Sequence, residues 1–261
     1  MKIKLIFSLA VCFTAVSFSC IATASTLHKF AGYEMGYGTF KFAEKLDHKI
    51  VFPVANLTAG LAYQRYSIVI NLSGSLSDAA VSEEEMSGTG RRQDNDLTIA
   101  YQLNKVASIF LGYKQGETNL LLINRDPAVV GGGQEAYKQN GAFIGANLNW
   151  SIEGAGKLGV TAAYAALQSD NLFIADGDGV AAGETLEIDD IGGEISGNSS
   201  GYSVALSWSM PMKGHFIFRT RLRVNQYQQD IDYLHSDNQT YHFNGVAESS
   251  TMLLVGVTSI F

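Results

Sequence analysis

Cysteine is almost missing from this chain: there are two, Cys12 and Cys20, both among the first twenty residues. From residue 25 onward there is no thiol, which excludes a disulfide framework and any cysteine-based metal or redox centre there. Beyond residue 24 there is also no apolar run of 18 residues, which excludes a helical membrane protein. Positive charge is in deficit, with 18 Lys and Arg against 25 Asp and Glu. The first 24 residues hold Lys2, Lys4 and no acid, so the remainder carries 16 cations against 25 acids, a balance that argues against a nucleic-acid partner.

What the N-terminus has is a secretory pattern. Lys2 and Lys4 precede an apolar run from Leu5 to about Phe18, and the small-residue tripeptide Ala22-Thr23-Ala24 follows. Residues 1–24 read as a signal peptide cleaved after Ala24, because the apolar run is shorter than the roughly 20 residues a membrane-crossing helix needs. Lipidation at Cys20 is the competing reading, and Ser17-Phe18-Ser19-Cys20 fits it poorly. Both cysteines leave with the signal.

Residues 25–261 form one domain, with no shift of composition inside them. Glycine is abundant (27), proline rare (3) and aromatics reach 11%. Segments of roughly ten alternating residues recur at 30–42, 51–64, 67–74, 96–103, 106–118, 141–151, 157–168, 201–210, 215–233 and 249–261. Tight turns at 65–66, 104–105, 154–156 and 211–214 alternate with long loops, chiefly 75–95, 119–140 and 169–200. Short turns on one side and long loops on the other are the pattern of a transmembrane barrel. The expected fold is therefore all-β: a single antiparallel up-and-down transmembrane β-barrel of ten strands, with eight and twelve as the neighbouring even counts.

The chain ends on Leu253, Val255, Val257, Ser259 and Phe261 at two-residue spacing, one strand face closed by an aromatic. In this it resembles the bacterial outer-membrane β-barrel superfamily, whose closing strand typically ends in Phe. That resemblance implies an outer-membrane location in a Gram-negative envelope, lipid as a partner, and recognition of the last strand by the barrel-assembly machinery.

Strand parity separates lumen from lipid. Ala142, Ile144, Ala146, Leu148 and Trp150 share one face, with Asn147 and Asn149 on the other; Tyr202, Val204, Leu206, Trp208 and Met210 oppose Ser203, Ala205, Ser207 and Ser209. Tyr101, Trp150, Trp208, Phe216 and Phe261 fall at short-turn ends, where a membrane girdle belongs, and Tyr113, Tyr164 and Tyr202 fall toward the loops. Phe216, Phe218, Leu222 and Val224 alternate with Arg219, Arg221 and Arg223. An arginine facing lipid near the midplane costs about 2–4 kcal/mol, so the three must line the lumen. Glu34 has the parity to meet them from the first strand, and Lys114 also points inward.

These residues carry two functional readings: first a positively lined, porin-like channel for small polar or anionic solutes, and as its alternative a barrel plugged by arginines locked to Glu34, to serines or to backbone, which acts through its surface loops. The chain is expected not to be an enzyme, and to hold no cofactor and no metal. Ten-stranded surface proteases use an Asp-x-His dyad, and the nearest match, Asp232 to His235, has the wrong spacing; His235-Ser236 lacks the residue between the two in a deacylase's His-x-Ser. The acidic loop from Asp176 to Glu194 misses the EF-hand spacing at Val180. Glu83-Glu84-Glu85 with Arg91-Arg92 reads as a surface charge pair across one loop, and Gly131-Gly132-Gly133 as loop flexibility.

Overall fold

The computed structural model describes residues 27–43, 45–46, 48–82, 86–125, 132–175, 186–188, 190–234 and 239–261. The expected leader, residues 1–24, lies outside them. Eleven strands form one ring: β1 (Leu27–Phe42), β2 (Ile50–Tyr63), β3 (Tyr66–Ser75), β4 (Ala79–Ser82), β5 (Met86–Gln102), β6 (Ala107–Asn124), β7 (Gly132–Ile152), β8 (Gly156–Phe173), β9 (Gly193–Pro211), β10 (Phe216–Leu234) and β11 (Thr240–Ile260). All pairings are antiparallel and, apart from β3 with β5, join chain neighbours, while β1 closes against β11. β3 and β4 both pair with β5, one after the other along the same edge. They make one interrupted stave, so eleven strands build a barrel of ten staves. The break falls where Ser75 Oγ donates to the Arg92 carbonyl at 3.2 Å and accepts the Arg92 N–H at 2.9 Å.

The short turns carry the chemistry such turns need. Gln64 takes φ 53° in the two-residue turn Gln64-Arg65, one residue earlier than the expected Arg65-Tyr66. Gly154 and Gly214 sit at φ 71° and 78°, a backbone state that costs glycine nothing. Asn104 Oδ1 accepts the N–H groups of Val106 and Ala107 at 2.8 and 2.9 Å. Beside these turns the chain ends join, with Lys29 N–H donating to Phe261 O at 3.0 Å and Phe261 N–H to Lys29 O at 2.9 Å. An even number of staves requires this meeting at one rim.

The strands run much longer than the sequence pattern suggests. β7 and β11 each have 21 residues, about 70 Å at 3.3 Å per residue, whereas a tilted strand crosses a bilayer in roughly 9–11. The long loops therefore shrink. Most of 75–95 is β4 and β5, and the span 119–140 is largely β6 and β7, with Gly132 and Gly133 inside β7. The last loop gives way to the start of β11.

The reason is a reversal of polarity along each stave. Near the short turns, apolar side chains face outward: Leu111 and Tyr113 on β6, Val204 and Leu206 on β9, Leu222 on β10 and Leu253 on β11 are all exposed. Further along, the outward positions become Gln115, Glu117 and Asn119 on β6, and Gln226, Gln228, Asp230 and Asp232 on β10. There the inward positions turn apolar, with Leu120, Leu122 and Ile231 buried. One length of strand is built for lipid outside and polar groups inside, the next for water outside and a dry core. Alternation continues, with the faces exchanged.

Candidate functional site: the lumen

The lumen is layered. Nearest the short turns Phe30, Val69 and Ile260 fill one side. Above them Glu34 accepts from Arg221 Nη2 at 2.5 Å and from Asn56 Nδ2 at 2.9 Å. Arg219 Nε stands 3.8 Å from the other Glu34 oxygen, beyond hydrogen-bond distance. So two guanidiniums share one carboxylate. Glu34 fits because its cross-strand neighbour is Gly256, where a Cβ would lie 2.0 Å from the Tyr33 carbonyl oxygen.

The third arginine has partners other than Glu34. Arg223 Nη1 donates to Asp96 Oδ2 at 3.0 Å, and its Nε reaches Ser203 and Asn225 at 3.1 Å each. Lys114 points inward as expected and donates to the Tyr227 hydroxyl at 2.6 Å. Asp96 shares the inward parity of Thr98 and Ala100, a signal that its place at the expected strand end concealed.

The next layer lies above the outer tyrosines, in spans whose sequence pattern suggests loops. Arg92 is buried, not on the surface, and grips Asp94 with two bonds of 2.7 Å. Its neighbour Arg91 stays outside on Asp78, and Glu83, Glu84 and Glu85, its expected partners, lie outside the described residues. Burial alone would raise the Asp94 carboxyl, but the Arg92 guanidinium holds it below the usual carboxylate range. Glu248 accepts from Gln139 at 2.7 Å and Gln229 at 2.9 Å. Burial pushes its carboxyl up, and Arg92 and Lys114 offset this only in part.

A dry core closes the lumen at the long-loop end. Side chains from nine strands and two connections form it, including Phe42, Phe52, Leu122, Tyr137 and Phe173. The connections contribute Leu46 on one side and Ile188 and Ile191 on the other, all nearly inaccessible. Tyr137 packs against Phe40, Phe42 and Phe173 with centroids 5.0–5.5 Å apart. One buried ion pair crosses the core, Lys45 to Glu135 at 3.7 Å, and Glu135 also accepts from the Tyr137 hydroxyl at 2.7 Å.

Below the polar layers a cavity remains, with about 60 Å³ of room for the centres of water-sized spheres, within a void of about 630 Å³ that includes open solvent. Arg219, Arg221, Arg223 and Lys114 line one side, and Phe110, Phe143, Ala163, Ala165 and Ala205 another. The short-turn rim is basic. Lys29, Arg65, Lys105 and Lys213 are exposed there and Lys157 half-exposed, against the one acidic side chain Glu153 among the described residues.

Outside, the expected girdle residues take outward positions at the short-turn end. Trp150, Phe216 and Phe261 are exposed. Tyr101 stacks against Tyr66, and Trp208 meets Phe218 edge-on while donating to Ala155 O at 2.7 Å. Tyr113, Tyr164 and Tyr202 mark the opposite edge of the apolar band. Asp232 reaches across to His242: Nδ1 and Oδ1 are 2.6 Å apart, with the His242 and Asp232 side chains 63% and 72% exposed. Residues 235–238 lie outside the described residues, as does most of the acidic stretch from Asp176. Of that stretch, Asp190 caps the Glu187 N–H at 2.6 Å.

No family model matches the chain, and no curated protein matches it in sequence. Solved structures do match. The outer-membrane protease OmpT of Escherichia coli aligns over 95% of this chain and 99% of its own, at 14% identity and a TM-score of 0.53. The translocator domain of the autotransporter NalP from Neisseria meningitidis aligns over 91% and 89%, at 12% identity and 0.49. The β domain of the Bordetella autotransporter BrkA aligns over 90% and 99%, at 9% identity and 0.46. The fold is that of an antiparallel up-and-down β-barrel similar to the OmpT barrel, and it carries an outward apolar band.

Proposed function

We propose that this protein is a sealed outer-membrane barrel that holds a rigid, water-exposed turret above the membrane and acts through that turret's surface. The dry core carries the reading. Burying a Leu, Ile or Phe side chain is worth about 1.5–3 kcal/mol, and among the described residues the polar groups within this layer, Lys45, Glu135 and the Tyr137 hydroxyl, are engaged with one another rather than open to a hydrated solute. The paired arginines below it support a plug. Solvent-facing polar residues on the turret strands, such as Gln228 and Asp230, supply a surface for partners. No catalytic step enters this reading; the Asp232–His242 pair stands on the open outer wall, with both side chains mostly exposed to solvent.

A porin-like channel for small anions is the second reading, and the arginine-lined cavity favours it. Planar-bilayer recording separates the two. The sealed barrel predicts a silent wild type, a silent R219S/R221S/R223S variant because the dry core still closes the lumen above it, and conductance once L46S/I188S/I191S loosens the core. Wild-type conductance with anion preference, lost in the arginine variant, supports the channel instead.

A further inference from the structure

The cavity is two-faced, and that difference is chemical. β10 presents Arg219, Arg221 and Arg223, with Lys114 above them, while β6–β9 present Phe110 and Phe143, packed edge-on at 6.0 Å, and small side chains that leave the space. Among the described residues, Glu34 faces two arginines at the level nearest the opening. Arg219 and Arg221 share Glu34, and Arg219 meets it only at 3.8 Å. Buried cations in a membrane-embedded wall call for anionic partners. A second unmet donor lies beside the cavity: Asn147 is 2% exposed and its Nδ2 has no partner among the described residues, although its Oδ1 accepts from Thr161 on the cavity wall. Access runs from the short-turn side, where inward Ser207 and Ser209 are half-exposed. The basic rim there raises the local concentration of anions.

We propose that this cavity is a binding pocket, open toward the periplasm and closed toward the outside, for a small amphipathic organic anion. A carboxylate would take the Arg219 guanidinium, whose planar fork suits it, and an apolar body would lie against Phe110 and Phe143. The closed outer end rests on the sealed-barrel reading; the pocket does not.

Isothermal titration of the detergent-solubilised protein with benzoate, and with benzyl alcohol as its neutral counterpart, tests this. One benzoate per chain is expected, bound at least tenfold tighter than benzyl alcohol and at least tenfold weaker to Arg219→Gln. Ala205→Leu fills the cavity beside Arg223 while leaving Arg219, Arg221 and Glu34 in place, and is expected to abolish binding in a barrel that keeps its heat-modifiable migration. This variant decides even where Arg219→Gln fails to fold. Equal affinity for the two ligands, binding that survives Ala205→Leu, or no benzoate binding overturns the proposal. Benzoate flux through bilayers with saturable binding intact would contradict the sealed barrel and leave the pocket standing; silence without binding would do the reverse.

Discussion

Glu34 is the residue on which the lower lumen turns, because two arginines depend on its one carboxylate. Breaking a buried ion pair from one side costs about 3–5 kcal/mol. Glu34→Gln is therefore expected to unfold at markedly lower denaturant than wild type, measured by the loss of heat-modifiable migration; an unchanged midpoint would remove the ion pair from the account. Glu248 acts differently. Its folded carboxyl is raised, chiefly by burial, so the folded chain holds that proton more tightly than the unfolded chain. The stabilisation is full below the ordinary carboxylate range and is lost as pH rises through the folded value. Wild type is expected to gain stability relative to Glu248→Gln as pH falls across that window. The inward arginines, Lys114 and Glu34 were legible because each sits in a strand whose other face is apolar. Asp96, Arg92 and Glu248 were not, because they lie at or beyond the level where that rule reverses.

At the scale of the strand, the membrane segments were legible and their continuations were not. Alternation on β6 identifies Leu111 and Tyr113 as outward, but Gln115, Glu117 and Asn119 on the same face look like the start of a loop. They are the same strand entering water. The interrupted β3–β4 stave was hidden for a related reason, since its second part is only four residues long. The seam between β1 and β11 depends on close backbone approach: a Cβ at Gly36 would lie 1.9 Å from the Leu253 carbonyl oxygen. Gly36→Val is expected to prevent closure, leaving protein that migrates identically with and without heating, whereas Gly74→Val, at a position with nothing within 4 Å of the added Cβ, is expected to close normally. Removing Phe261 deletes the backbone bonds that tie it to Lys29, and is expected to lower the yield of heat-modifiable barrel in the membrane without blocking secretion.

In the proposed sealed barrel each stave crosses two environments, lipid around a polar lumen and then water around a dry core. Residues 25–261 contain no cysteine, so single-cysteine variants report on position without a background. The direct test is labelling of intact cells with a membrane-impermeant maleimide. Gln228→Cys and Glu117→Cys, outward on the turret, are expected to label. Leu206→Cys and Leu222→Cys, outward in the apolar band, and Asn104→Cys, at a short turn, are expected to stay unlabelled until the membrane is dissolved or breached. Protection at Gln228 and Glu117, or labelling at Asn104 from outside, would contradict the account.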